Sequence, residues 1–290
     1  MKRLLTRIAI GLSALTASLC HAQERPAVAR EVISVDLGRE SGGKPVVMSA
    51  LVAMAPEPNG KALLLFPGWP GIPRIENREG VPSFYYLQPH FEEMRPILHA
   101  AGITTVTVDC PTDQWGTRAI NPTSCDDKYR SSLQHAQDVA ALIAKLKTEK
   151  GLRHITIMGH SYGAVSSHWL SLHLDKGEIQ AAIHSASKTE VDSGAFANYG
   201  SSIARFDHSQ VKVPYVYLHH QDDLCRNTPY SYAKKHAKQG QLITVTGGNR
   251  FSAPCGGASY HGFAGRRPQV ADALVAYINR GEVIPLVKGD

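Results

Sequence analysis

No C-x-x-C and no H-E-x-x-H spacing occurs in these 290 residues. The usual sequence grounds for a zinc site are therefore missing, and neither a metal nor a cofactor is expected. There is no stripe of Lys and Arg interleaved with aromatics, so no nucleic-acid partner is expected. Pairs such as Lys234-Lys235 and Arg266-Arg267 read as solvated faces. No internal repeat, low-complexity tract or shift of composition marks a second domain. Charged residues make up only 19% of the chain against 43% hydrophobic, which is the balance of a globular protein and not of a disordered one.

Long apolar runs are also absent. The one concentrated run, residues 8–19, is shorter than the ~20 residues a spanning helix needs. It follows Lys2, Arg3 and Arg7, and Cys20-His21-Ala22 comes after it with small residues at the positions a signal peptidase reads. That layout predicts a secretory signal peptide over residues 1–22, cleaved after Ala22, and a single domain over 23–290. The competing reading, a lipoprotein modified on Cys20, sits poorly with the bulky Leu19 before it. Loss of the three basic residues takes the formal charge from +6 to +3. A secreted or periplasmic product with no membrane insertion after cleavage is expected. Four cysteines then remain, Cys110, Cys125, Cys225 and Cys255, an even number in a compartment that permits disulfides.

What is present is alternation. Residues 31–37 and 45–55 read as an opening antiparallel pair around Gly42-Gly43. Continuous apolar runs follow at 62–66, 103–108, 155–158, 181–183, 213–218 and 242–246. Strands apolar on both faces belong inside a parallel sheet covered by helices. Between them lie helical patterns at 129–147, 165–174 and 269–279. The first of these sets Leu133, Ala136, Val139, Ala140, Ile143 and Leu146 on one stripe. The fold class is α/β, with a mostly parallel sheet. Two connections, 69–86 and 185–210, are long for such a fold, yet too short for a large helical cap.

Gly159-His160-Ser161-Tyr162-Gly163 matches G-x-S-x-G, and it follows one predicted strand and opens one predicted helix. Such a turn lifts the Ser161 hydroxyl above the sheet. A serine needs a base to take its proton, and the base needs an orienting acid. The strand at 213–218 runs into Asp222-Asp223; Asp223, further past the strand end, is the favoured acid, with Asp222 and then Asp207 as alternatives. His261 is the favoured base, after the last strand and before the last helix. His219 and His220 read as local hydrogen-bonding residues, and His160 as packing beside the nucleophile. Backbone N–H donors for an oxyanion are expected from Tyr162 and from Trp69, the latter in the turn Pro67-Gly68-Trp69-Pro70-Gly71.

These motifs, together with Val108-Asp109-Cys110-Pro111-Thr112-Asp113-Gln114, Asp223-Leu224-Cys225 and His261-Gly262-Phe263, resemble exported bacterial α/β-hydrolases over roughly residues 45–280. One departure is Pro67, where many relatives carry His before the oxyanion glycine. The resemblance implies the α/β-hydrolase fold, a small cap or none, and acyl transfer by a serine nucleophile. It leaves the natural substrate and the oligomeric state open. Hydrolysis of carboxylic esters, small molecules among them, is the expected activity. An amidase or peptidase using the same residues is the alternative, and a non-catalytic binding protein of the same fold is the third reading. If the Asp223 and His261 loops meet, Cys225 and Cys255 come within bridging range, leaving Cys110 to pair with Cys125. Four buried thiols are the competing expectation.

Overall fold

The computed structural model describes residues 29–116, 125–189 and 202–288. The expected signal peptide, its cleavage after Ala22 and Cys20 all lie outside the described residues. Among the described residues no helix is long and apolar enough to cross a membrane.

The opening hairpin forms as expected, β1 (Arg30–Ser41) against β2 (Lys44–Ala53), turning at Gly42 and Gly43, both at positive φ. The apolar runs become β3 (Lys61–Phe66), β6 (Ile103–Val108), β7 (His154–His160), β8 (Ala181–Ser185), β9 (Tyr215–His220) and β10 (Leu242–Val245). With the short β11 (Leu286–Val287) they build one nine-stranded sheet in the order β1-β2-β6-β3-β7-β8-β9-β10-β11. Only the pairings of β2 are antiparallel. A separate small hairpin, β4 (Glu76–Arg78) and β5 (Val81–Ser83), occupies the first long connection.

Strand β3 shows why the sheet is central. Ala62, Leu64 and Phe66 point into one apolar cluster, with Val139, Leu142 and Leu146 of α3 (Leu133–Lys150) and Leu170 of α4 (Ala164–His173). Leu63 and Leu65 point into a second, with Phe91, Met94 and Leu98 of α1 (Pro89–Ala100) and Val270 and Leu274 of α6 (Arg267–Arg280). The period-2 alternation of a strand thus feeds two helical layers from one continuous apolar run.

Three departures from the sequence reading have local causes. The helix expected at 129–147 is divided. A short α2 (Asp127–Arg130) ends at Ser131, and Ser132 caps α3 by accepting a hydrogen bond from the His135 N–H at 3.1 Å. Leu133, at the first position of α3, is therefore 64% exposed and not on the buried stripe. Helix α1 was not anticipated; Pro89 occupies its first turn, where the missing N–H costs nothing, and Pro96 lies inside it. The small α5 (Tyr230–His236) was likewise not anticipated.

Candidate active site

The turn after β7 is the tightest feature of the fold. Ser161 adopts φ 55°, a left-handed conformation that is strained for any residue with a side chain. A Cβ on Gly159 would lie 2.1 Å from the Gly163 carbonyl oxygen, and one on Gly163 would lie 2.0 Å from the Phe66 carbonyl oxygen. Both glycines are thus required by the close approach of the turn to itself and to the end of β3. The chain continues through a 3₁₀ turn (Ser161–Gly163) into α4, whose N-terminus faces the serine.

The loop after β3 presses against this turn. A Cβ on Gly68 would meet the Ser161 Cβ at 3.1 Å, and the Gly68 N–H donates to Oε1 of Gln88 at 3.0 Å. Buried Arg130 fastens the loop and the elbow together: it donates to the carbonyls of Gly71 (3.1 Å) and Cys125 (2.9 Å) and to Ser166 Oγ (2.7 Å), and lies over the Tyr162 ring. Further along the same loop, Asp109 accepts from the Ile75 N–H at 2.6 Å; burial pushes its carboxyl up to about 7.

His261 and Asp223 meet across loops far apart in sequence. Nδ1 of His261 lies 2.9 Å from Oδ2 of Asp223, which is fully buried. The ring's other nitrogen, Nε2, is left for a different partner. Asp223 also accepts from the Cys225 N–H (2.9 Å) and the Thr228 hydroxyl (3.0 Å). Burial alone would raise its carboxyl, but the His261 and Cys225 hydrogen bonds hold it below the ordinary carboxylate value. Asp222 is exposed and its side chain has no bond to His261. Asp207 caps a surface turn through Ser209 and Gln210. His219 is buried with Nδ1 against the His220 carbonyl, and His220 bonds the Gly247 carbonyl at 2.7 Å, at the end of β9 and just past β10. His160 is bonded to Ser185 Oγ and kept neutral, mainly by burial and then by neighbouring histidines.

Ser161, Tyr162, Trp69 and His261 line one cavity of about 450 Å³; Asp223 stands behind His261. Cys225 is bonded to Cys255, with Cα atoms 4.6 Å apart, and this bridge forms part of the wall. Cys110 is bonded to Cys125. Sequence reasoning missed Thr228, Gln88, Arg130 and His90, the last of which also lines the cavity. None of them stands in a motif; Thr228 lies five residues from Asp223 in the same loop, and the other three are placed by contacts between distant segments. Among the described residues no group of three His, Cys, Asp or Glu side chains could hold a metal ion.

The sheet order, the strained serine after β7 and the cavity beside it define a hydrolase of the α/β type. The chain belongs to the α/β hydrolase fold family, whose model matches residues 61–229. That span includes Ser161 and Asp223 and stops short of His261. No curated protein matches the chain. Among solved structures it is similar to 2,6-dihydroxy-pseudo-oxynicotine hydrolase at 16% identity and a TM-score of 0.56, covering 91% of this chain and 72% of that one. It is also similar to Est1E from Butyrivibrio proteoclasticus at 13% identity and a TM-score of 0.54, covering 86% and 97%. A third is a serine hydrolase without lid from Xanthomonas campestris, at 14% identity and a TM-score of 0.50, covering 88% and 96%. At these identities the likeness is one of fold.

Proposed function

We propose that this chain is a serine hydrolase that cleaves carboxylic esters through an acyl-enzyme on Ser161. His261 takes the hydroxyl proton through Nε2 as Ser161 attacks the ester carbonyl. Asp223 holds the imidazole by Nδ1 and stabilises the imidazolium that forms. The N–H groups of Tyr162 and Trp69 receive the oxyanion, His261 protonates the departing alcohol, and a water activated by the same ring releases the acid.

The observation that carries this reading is the 2.9 Å contact of His261 Nδ1 with buried Asp223, beside a cavity that also takes in Ser161 at its strained turn. A histidine locked at Nδ1 by a carboxylate has a fixed tautomer and a single basic nitrogen, which is what proton transfer from a serine requires. Cleavage of esters rather than amides is favoured on chemical grounds, because an alkoxide leaves more readily than an amide nitrogen. Export through a signal peptide over residues 1–22, with 23–290 as one domain, belongs to the same proposal, and two disulfides suit a non-cytosolic compartment.

A fluorophosphonate probe tests the nucleophile: it is expected to label the wild-type protein and not Ser161→Ala. The same Ser161→Ala protein should keep normal thermal stability and lose more than ~99% of kcat on p-nitrophenyl esters. Labelling of the variant would sink the assignment. A panel of p-nitrophenyl esters against aminoacyl amides decides the bond cleaved; faster turnover of the amides would replace the esterase with an amidase.

A further inference from the structure

The inner wall of the cavity holds a side chain that the proposed mechanism does not use. His90, the second residue of α1, is only 2% exposed and lines the cavity that also takes in Ser161 and His261. Its ring packs 4.2 Å from that of His160, which in turn lies 4.9 Å from that of His261. Neither Nδ1 nor Nε2 has a hydrogen-bond partner among the described residues. Leaving such atoms unpaired is unfavourable, and the surrounding groups do not relieve it. The ring is neutral: burial, helped by the charge of Arg267, lowers its pKa to about 3. A neutral imidazole offers one N–H donor and one lone pair, which together suit a hydroxyl, itself both donor and acceptor.

Two further features agree. Among the described residues that line the cavity there is no Leu, Ile, Val, Met or Phe. Its apolar wall is made by Trp69, Pro89, Tyr162 and the Cys225–Cys255 bridge, set beside the polar groups of Gln88, His90 and His160. Gly257 borders His90 in the same cavity wall. A Cβ on Gly257 would meet one atom within 4 Å, Nδ1 of His90 at 3.9 Å, and Gly257 is not at positive φ.

Resting on the ester-hydrolase reading, we propose that His90 is the specificity-determining residue of this site, and that the substrates are short esters carrying a hydroxyl group, which His90 binds. A site built to hydrogen-bond a hydroxyl discriminates strongly against the analogue that lacks it, because its own buried polar atoms are then left unpaired.

The test uses pairs in which a hydroxyl is exchanged for a methyl of similar size. Methyl glycolate is compared with methyl propionate for the acyl side, and 2-hydroxyethyl acetate with propyl acetate for the alcohol side. Acid release gives kcat/KM for the mature wild-type protein, His90→Leu and Gly257→Ala. The hydroxylated member of at least one pair is expected to be preferred by about tenfold or more in the wild type. That preference should shrink to within about twofold in at least one folded variant, since leucine removes the ring nitrogens and the alanine methyl covers Nδ1. Gly257→Ala, with room for its methyl, keeps the test sound if His90→Leu does not fold. Calorimetric titration of the same pairs into Ser161→Ala reads the preference without turnover, so an inactive wild type would overturn the esterase reading and still leave this one measurable. Equal kcat/KM and equal affinity within both pairs would overturn the proposal, as would a preference undiminished in every folded variant.

Discussion

Asp222 and Asp223 are neighbours in the chain with opposite surroundings. Asp222 is exposed, whereas the side chain of Asp223 is fully buried against His261. On the proposed mechanism, Asp223→Asn deprives His261 of its counter-charge and of the acceptor that fixes its tautomer. A drop in kcat of roughly 10³–10⁴-fold is expected, with Asp222→Asn within about threefold of wild type. Steady-state kinetics of the two variants on p-nitrophenyl acetate decide it, and the reverse ranking would move the acid to Asp222. Thr228 is coupled to the same carboxylate, its hydroxyl donating to Asp223 Oδ2 at 3.0 Å. The Asp222-Asp223 pair was visible in the sequence as a choice of two. Burial against His261 is what sets Asp223 apart, and burial depends on which loop packs over which.

Between elements, the closest approach is the turn that joins β7 to α4. Because an added methyl at Gly163 would fall 2.0 Å from the Phe66 backbone oxygen, no rotamer change can accommodate it. Gly163→Ala should therefore cost about 3 kcal/mol, read as a lowered urea midpoint; an unchanged midpoint would show that β3 and the turn can separate freely. The loops bearing Asp223 and His261 are tied by Cys225–Cys255, which closes a span of 30 residues. Chain-entropy reasoning assigns such a bridge roughly 3–4 kcal/mol. The Cys225→Ser, Cys255→Ser double variant should lose stability on that scale. Because the bridge also lines the cavity, mild reduction should lower kcat before the far-ultraviolet circular dichroism changes. Activity that survives reduction intact would mean the loops hold their register without the bond.

At the scale of the whole molecule, histidine is the commonest buried titratable residue type among the described residues. His90, His135, His160, His168, His184 and His219 are all held neutral, chiefly by burial. Their folded pKa values lie below the ordinary 6.5, so below that pH the unfolded chain binds protons that the native one refuses. Stability is then fully present above about pH 6.5 and falls as pH drops toward 4, each such histidine adding to the loss. Asp109 works in the opposite sense: raised to about 7, its contribution is lost as pH rises through that value, but it is one group against several. Unfolding midpoints measured from pH 8 to pH 4.5 should drop steeply below pH 6. A flat profile would mean that the buried rings accept protons in place.

The alternation of apolar runs and amphipathic stretches was enough to specify an α/β sheet, because a strand buried on both faces must be apolar throughout. Likewise Gly159-His160-Ser161-Tyr162-Gly163 announced its turn, since steric exclusion acts between near neighbours in the chain. The division of the helix expected at 129–147 was less legible: Ser131 and Ser132 interrupt a periodicity that otherwise runs through them. Helix α1, with Pro89 at its start and Pro96 inside it, was not anticipated. What only the tertiary structure decided is the company each side chain keeps: Thr228 on Asp223, Arg130 between two loops, His90 in the cavity wall. Apart from the first, which spans five residues, those contacts join segments tens of residues apart, and their strength comes from exclusion of water, which no local pattern encodes.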